Sequence, residues 1–371
     1  MDDRRRVRDV RGALALASLA LRRALSPWAV VATALWLTLL ATRDWMPASV
    51  RLVGELDPST PAVAAAQARS GVLGAALALV APLVLWRVAA LNARTQGPER
   101  AGFAAAPVGE LPRQVGLWLG ACAGAALHLL ACAAAAELAA GAGSEPVRPV
   151  VGRLDNPALN LLVEGEVERF ELPPLPARAE RIQVELVVLP AADPSATVEL
   201  RVRRLDGDGP GTSASSTFAG RRALSVDLPP GSGTLLVELA RPAVGAGVGV
   251  PANSLLVLGS PRPGLLASLA LAARTWLGLA LAAALLPLLT RGLSAGLAGT
   301  LLASLWIAAW RGAPLVEHLP AATLFDDLSA LSLGLSPGAP PLISAGLALG
   351  LSLACLSATA LLERRRGGAT R

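Results

Sequence analysis

The chain has no lysine and no tyrosine, only two histidines and three cysteines, and charged residues make up just 16% of its 371 positions. Each scarcity excludes something. Cys122, Cys132 and Cys355 all fall within apolar segments, so neither a disulfide framework nor a CxxC metal site is available and the cysteines read as structural. His128 and His318 lie on different segments, which leaves no histidine-centred catalytic constellation. Walker A, GxSxG and HExxH patterns are missing, as is a GxGxxG that follows a strand. The chain is therefore expected to be no enzyme, with no catalytic, cofactor-binding or metal-ligating residues and no means of hydrolysing ATP itself. Asp206-Gly207-Asp208-Gly209-Pro210-Gly211 resembles the start of a calcium loop, but Thr217 stands where such a loop needs its bidentate glutamate, and turn chemistry accounts for the stretch.

What the chain does have is apolar surface, 53% of its residues, gathered into long runs without charge. Such clustering reads as membrane and not as a large soluble core. Residues 24–42 lie between Arg23 and Arg43 without a charge, just enough to cross a bilayer at about 1.5 Å per residue. Further spans are expected at 70–91, 114–138, 266–290, 292–310 and 342–362. The sequence pI near 10.8 does not point to nucleic acid, because the arginines sit mainly at the ends of these runs, where membrane topology accounts for them.

Orientation follows from those arginines. Seven precede the first span, Arg364, Arg365, Arg366 and Arg371 follow the last, and Arg87, Arg94, Arg100 and Arg113 mark the loop between the second and third. The short loops of the opposite side hold only Arg43, Arg51, Arg69 and Arg311. Both termini are thus expected in the cytoplasm, and the long segment 143–263 outside.

Within that segment the period changes to two. Ile182, Val184, Leu186 and Val188 alternate with Arg181, Gln183 and Glu185, and Val198, Leu200 and Val202 with Glu199, Arg201 and Arg203. Further strands are expected at 161–163, 166–172, 224–228, 235–239 and 255–258, between turn signals such as Pro229-Pro230-Gly231. The expected fold is therefore an all-α membrane bundle of six transmembrane helices with an inserted extracytoplasmic all-β sandwich-like domain. Its parts are a cytoplasmic tail and interfacial helix (1–25), helices one to three with a cytoplasmic loop 92–113 (26–142), the sandwich (143–263), helices four to six with an outer loop 311–341 (264–362) and a basic tail (363–371). The interfacial helix is read from Leu14, Leu16, Leu19, Leu21 and Leu25 between Arg11 and Arg22-Arg23, a run too short to span, with arginines placed to meet anionic headgroups; the other reading is a cytosolic helix packed against the bundle.

Three intramembrane polar residues are candidates. His128 falls near the middle of the third span, either as a functional site or as a neutral imidazole bonded to a neighbouring helix. Glu137 lies toward the outer end of the same span, and Arg274 interrupts the fourth, where it either snorkels outward or pairs within the bundle, Glu137 being the first partner to consider.

Three stretches carry a likeness. They are Val10-Arg11-Gly12-Ala13-Leu14 through Ser26-Pro27, the loop from Gly97-Pro98-Glu99-Arg100 to Ala106-Pro107-Val108, and Leu319-Pro320-Ala321-Ala322-Thr323-Leu324-Phe325-Asp326-Asp327 before the last span. In these the chain resembles the permease subunits of type-2 ABC transporters, although Gly109-Glu110-Leu111-Pro112-Arg113 stands where that family often has a basic residue and Gly-Lys. The resemblance implies a homo- or heterodimer of permease chains that moves a lipid-like or envelope substrate. Energy would come from ATP bound to a separate ATP-binding subunit. That partner would dock on a coupling segment holding Gly97, Glu99, Arg100, Pro107, Val108, Glu110 and Arg113. Membrane lipid is the other expected partner, and no nucleic acid is. The rival expectation is a non-transporting scaffold whose sandwich binds an envelope glycan or protein.

Overall fold

The computed structural model describes residues 3–26, 33, 35, 66, 68–74, 87, 108–141, 146–154, 156–172, 175, 178–189, 195–205, 211–229, 234–252, 254–310, 328, 330–331, 335–336 and 342–368. Helix α1 covers Asp3–Ala24, α2 Glu110–Ala140, α3 Gly264–Leu289, α4 Ala295–Trp310 and α5 Leu342–Gly368. Helix α2 starts after Gly109 in an extended conformation, with Pro112 in its first turn, where a missing N–H costs nothing. It stops at Gly141, whose φ of 85° favours glycine and whose N–H donates to the Glu137 and Leu138 carbonyls.

Among the described residues three helices are long and apolar enough to cross a membrane: α2 with 31 residues, α3 with 26, and the 18-residue stretch Ala345–Leu362 of α5. This corrects the expected six-span all-α bundle. Helix α4 has 16 residues among those described, about 24 Å of helix, against the roughly 20 residues a span needs. The expected spans at 24–42 and 70–91 lie mostly outside the described residues. Among the described residues the helices share the chain with eleven strands, so the fold is a mixed helical and β-rich one. Its apolar helices are those of a membrane protein.

Strands β1 (Arg148–Leu154), β2 (Leu159–Leu161), β3 (Val167–Leu172), β4 (Ala179–Val188), β5 (Ser195–Arg204), β6 (Thr212–Ala219), β7 (Arg221–Asp227), β8 (Leu235–Ala240), β9 (Val248–Val250), β10 (Leu255–Gly259) and β11 (Leu335–Ser336) form two sheets. One runs β11-β1-β10-β4-β9-β2, with β7 on the other edge of β4, and the other runs β3-β8-β5-β6. Their inner faces meet in one core, where Ile182, Val184 and Leu186 of β4 lie against Val198, Leu200 and Val202 of β5 and Val237 and Leu239 of β8. Each of these side chains is fully buried, worth roughly 1.5–3 kcal/mol apiece.

Two connections tie this sandwich to the helices. Val147 and Arg262, between the sandwich and the ends of α2 and α3, exchange both backbone hydrogen bonds at 3.0 and 2.8 Å. Strand β11, shortly before α5, joins the seven-stranded sheet in parallel with β1, pairing Arg148 with Leu335 and Pro149 with Ser336. That parallel edge makes the larger sheet mixed, and it puts part of the expected loop 311–341 on the sandwich side of the helices.

Candidate functional site

Gly116, Gly120 and Gly124 recur every four residues and so line one face of α2. Helix α1 presses on that face: a Cβ at Gly116 would collide with the Ala13 carbonyl, at Gly120 with the Ala17 carbonyl, and at Gly124 with the Ala24 side chain. Contacts ascend together along both chains, so the two helices run in the same direction. Small residues permit this close backbone approach and the dispersion contacts that hold helices together in lipid. The helix expected to lie on the leaflet is thus packed lengthwise against a candidate span.

The end of the expected coupling segment joins the same contact. Val108 sits against Gly12, whose missing side chain makes the room, and the Gly109 N–H donates to Asp9 Oδ1 at 3.1 Å. Glu110 and Arg113 pair across one turn at 2.5 Å, with Arg113 buried. Gly97, Glu99, Arg100 and Pro107 lie outside the described residues.

At its other end α1 leaves carbonyls without helical partners. Arg87 Nη1 donates to the Arg23 and Ala24 carbonyls at 3.0 and 3.3 Å and to Ser26 Oγ at 2.9 Å, a cation at the negative end of a helix dipole. His128 Nε2 lies 3.3 Å from the Ala24 carbonyl, and its Nδ1 3.3 Å from Thr33 Oγ1. An imidazole with its single proton on Nε2 satisfies both contacts, donating to the carbonyl and accepting from the hydroxyl. Both contacts reach other segments of the chain, the end of α1 and Thr33.

Helices α2 and α3 run antiparallel. Trp118 Nε1 donates to the Ala280 carbonyl and Trp276 Nε1 to the Cys122 carbonyl, each at 2.8 Å, so the two indoles bridge the helices in opposite directions. Between them pack Ala125, Leu129 and Cys132 of α2 and Leu271, Ala272 and Leu279 of α3.

At the sandwich end of the same pair, Ser268 Oγ donates to Glu137 Oε1 at 2.7 Å. Arg69, 1% exposed, grips the same carboxylate with Nε to Oε1 at 2.7 Å and Nη2 to Oε2 at 3.1 Å. Its guanidinium lies over Gly264, where a Cβ would collide with it. Three chain segments far apart in sequence are thereby clamped at one point. Arg274, the first sequence-based partner for Glu137, is buried six residues beyond Ser268, about 9 Å further along α3 and turned well away from the face that carries Ser268. Sequence reading treated Arg69 only as an outer-loop cation. Its single clue was a lone arginine among small apolar residues.

At the far end of α3, Arg291 Nη2 donates to the Thr359 carbonyl of α5 at 2.7 Å. Helical rise places Glu137 about 36 Å from Arg113 along α2, and Ser268 about 34 Å from Arg291 along α3. The two polar levels bracket an apolar stretch close to the roughly 30 Å hydrocarbon thickness. Charged groups thus join helices at both borders, and the packing between is mainly apolar, crossed by the two indole bridges and holding His128 and Arg274 among its buried polar side chains. The chain matches no family model, and its sequence matches no curated protein.

Proposed function

We propose that this chain is the membrane-spanning permease subunit of an ABC-type transporter, moving a lipid-like or envelope substrate with energy from a separate ATP-binding subunit. Both termini and the segment 92–113 would face the cytoplasm, and the sandwich would stand outside the inner membrane. The observation that carries the reading is the junction of Asp9 and Gly12 with Gly109 and Val108. It makes the end of the expected coupling segment continuous with α1, and α1 is locked along half of α2. A push on that segment would move a span and not a slack connector. The α2–α3 interface, made of alanine and leucine with two indole bridges, suits a hydrophobic cargo better than an ion.

The test is purification of the tagged full chain in mild detergent, with mass spectrometry of its partners, beside Glu99→Ala/Arg100→Ala. An ATP-binding subunit that co-purifies with the parent chain and is lost from the variant supports the reading. Its absence under every detergent condition favours the scaffold, in which the helices only anchor the sandwich.

A further inference from the structure

The bundle-proximal rim of the seven-stranded sheet has an excess of cations. The start of β4 pairs with the end of β10, Ala179 opposite Gly259, and the end of β7 pairs with β4, Asp227 opposite Arg181. Arg148, Arg178, Arg181 and Arg262 therefore share this rim with the carboxylates Glu180 and Asp227. Both carboxylates are already engaged. Glu180 accepts from Arg148 at 3.2 Å and from Ser260, and Asp227 accepts from Arg181 at 2.7 Å. Arg178 and Arg262 are exposed, and neither side chain has a partner among the described residues.

Their position gives this excess a meaning. Arg262 stands two residues before α3, whose first turn exposes Leu265 and Leu266 at 45% and 53%, and the last turn of α2 exposes Leu138 at 80%. Exposed leucines at the tips of two candidate spans mark where the apolar phase begins; Arg262 stands two residues before α3, and Arg178 stands beside Gly259, five residues before it. Arginine at such a border meets lipid phosphates.

We infer that Arg178 and Arg262 dock the sandwich onto anionic phospholipid headgroups of the leaflet beneath it, so that the domain is seated on the bilayer as well as tethered by its two stems. The inference rests on α2 and α3 crossing a membrane and is independent of the permease reading. The same rim would hold the headgroup of a lipid approaching the helices from that leaflet.

The test uses the full chain in detergent, titrated with phosphatidylglycerol or phosphatidylcholine, with bound lipids counted by native mass spectrometry. Arg178→Gln/Arg262→Gln is compared with Arg169→Gln/Arg203→Gln, which removes the same charge from the four-stranded sheet. The parent chain and the second variant should bind phosphatidylglycerol on the order of tenfold more tightly than the rim variant. Phosphatidylcholine binding should be the same in all three. Equal phosphatidylglycerol binding by the parent and the rim variant overturns the inference, and so does an equal loss in both variants, which would make net charge and not place the cause. If the rim variant is not recovered folded, Arg262→Gln alone is read in the same way, with about a threefold loss expected.

Discussion

Arg69 and Glu137, 68 residues apart in sequence, form a two-pronged ion pair at the point where the helices meet the sandwich, and Ser268 completes the carboxylate's shell from α3. Desolvating two charges is costly, and breaking such a pair from one side costs about 3–5 kcal/mol when both ions are fully buried. Glu137 keeps 22% of its side chain exposed, so the lower end of that range applies. Arg69→Leu should therefore lower the melting temperature of the detergent-solubilised chain markedly. Arg69→Leu/Glu137→Leu should be less damaging than the sum of the two single changes, because no charge is stranded. Thermal melts across the double-mutant cycle measure the coupling, and simple additivity would mean that the pair does not act as a unit.

The α1–α2 seam makes a sharper contrast. Gly120→Leu should separate the helices, since even a methyl group meets the Ala17 carbonyl, and the yield of monodisperse protein should collapse. Gly346→Leu on α5, where an added Cβ has no described neighbour within 4 Å, should leave folding intact. Size-exclusion profiles of the two variants give the answer; equal behaviour would show that α1 is not packed as described.

Each indole bridge is one hydrogen bond to a carbonyl that already serves its own helix. Trp276→Phe keeps the ring and removes the donor, so it should cost about 0.5–1.5 kcal/mol, while Trp276→Ala, which also opens a cavity, should cost about 3–5 kcal/mol. Unfolding in graded denaturing detergent separates the two. Indistinguishable losses would place the value of this residue in its hydrogen bond alone and contradict the packing role of its ring.

Acid acts on the outside of the sandwich. The hydrogen bond from Arg181 holds the Asp227 carboxyl below the usual carboxylate range, and Arg201 does the same for Glu199. A lowered folded-state pKa gives stability that is present above the unfolded value, near 4, and is lost as pH falls through the folded one. Both pairs are largely solvated, so the Asp227 contribution is below about 1 kcal/mol. Melting curves should thus shift down only below about pH 4, and Arg181→Gln should lose less stability than the parent chain between pH 5 and 3. An equal acid shift in the two would assign the sensitivity elsewhere.

Much of the sandwich was legible because burial on one face of a strand leaves a period of two. Ile182, Val184 and Leu186 face the core as their alternation requires. Strand β6 escaped because its serines and threonines hide the alternation, and β11 because two residues carry no period at all. The six-span count failed where hydropathy was asked to set length: the run 292–310 is apolar enough, yet its helix begins only at Ala295 and holds 16 residues. The Gly116, Gly120 and Gly124 spacing was present to be read, but its partner face on α1 required knowing which helices touch. Arg69 was out of reach for the same reason, since only tertiary packing brings it to Glu137.

The most direct measurement concerns which side each part occupies, because a coupling segment inside and a sandwich outside are what α2 must separate if it crosses the membrane. Single cysteines at Ser215→Cys in exposed β6 and at Glu99→Cys, in a background with Cys122, Cys132 and Cys355 changed to alanine, are treated on intact cells with a membrane-impermeant maleimide. Cys-substituted position 215 should react at once and position 99 only after the membrane is opened. Labelling of both positions on intact cells, or of 99 alone, would contradict the account.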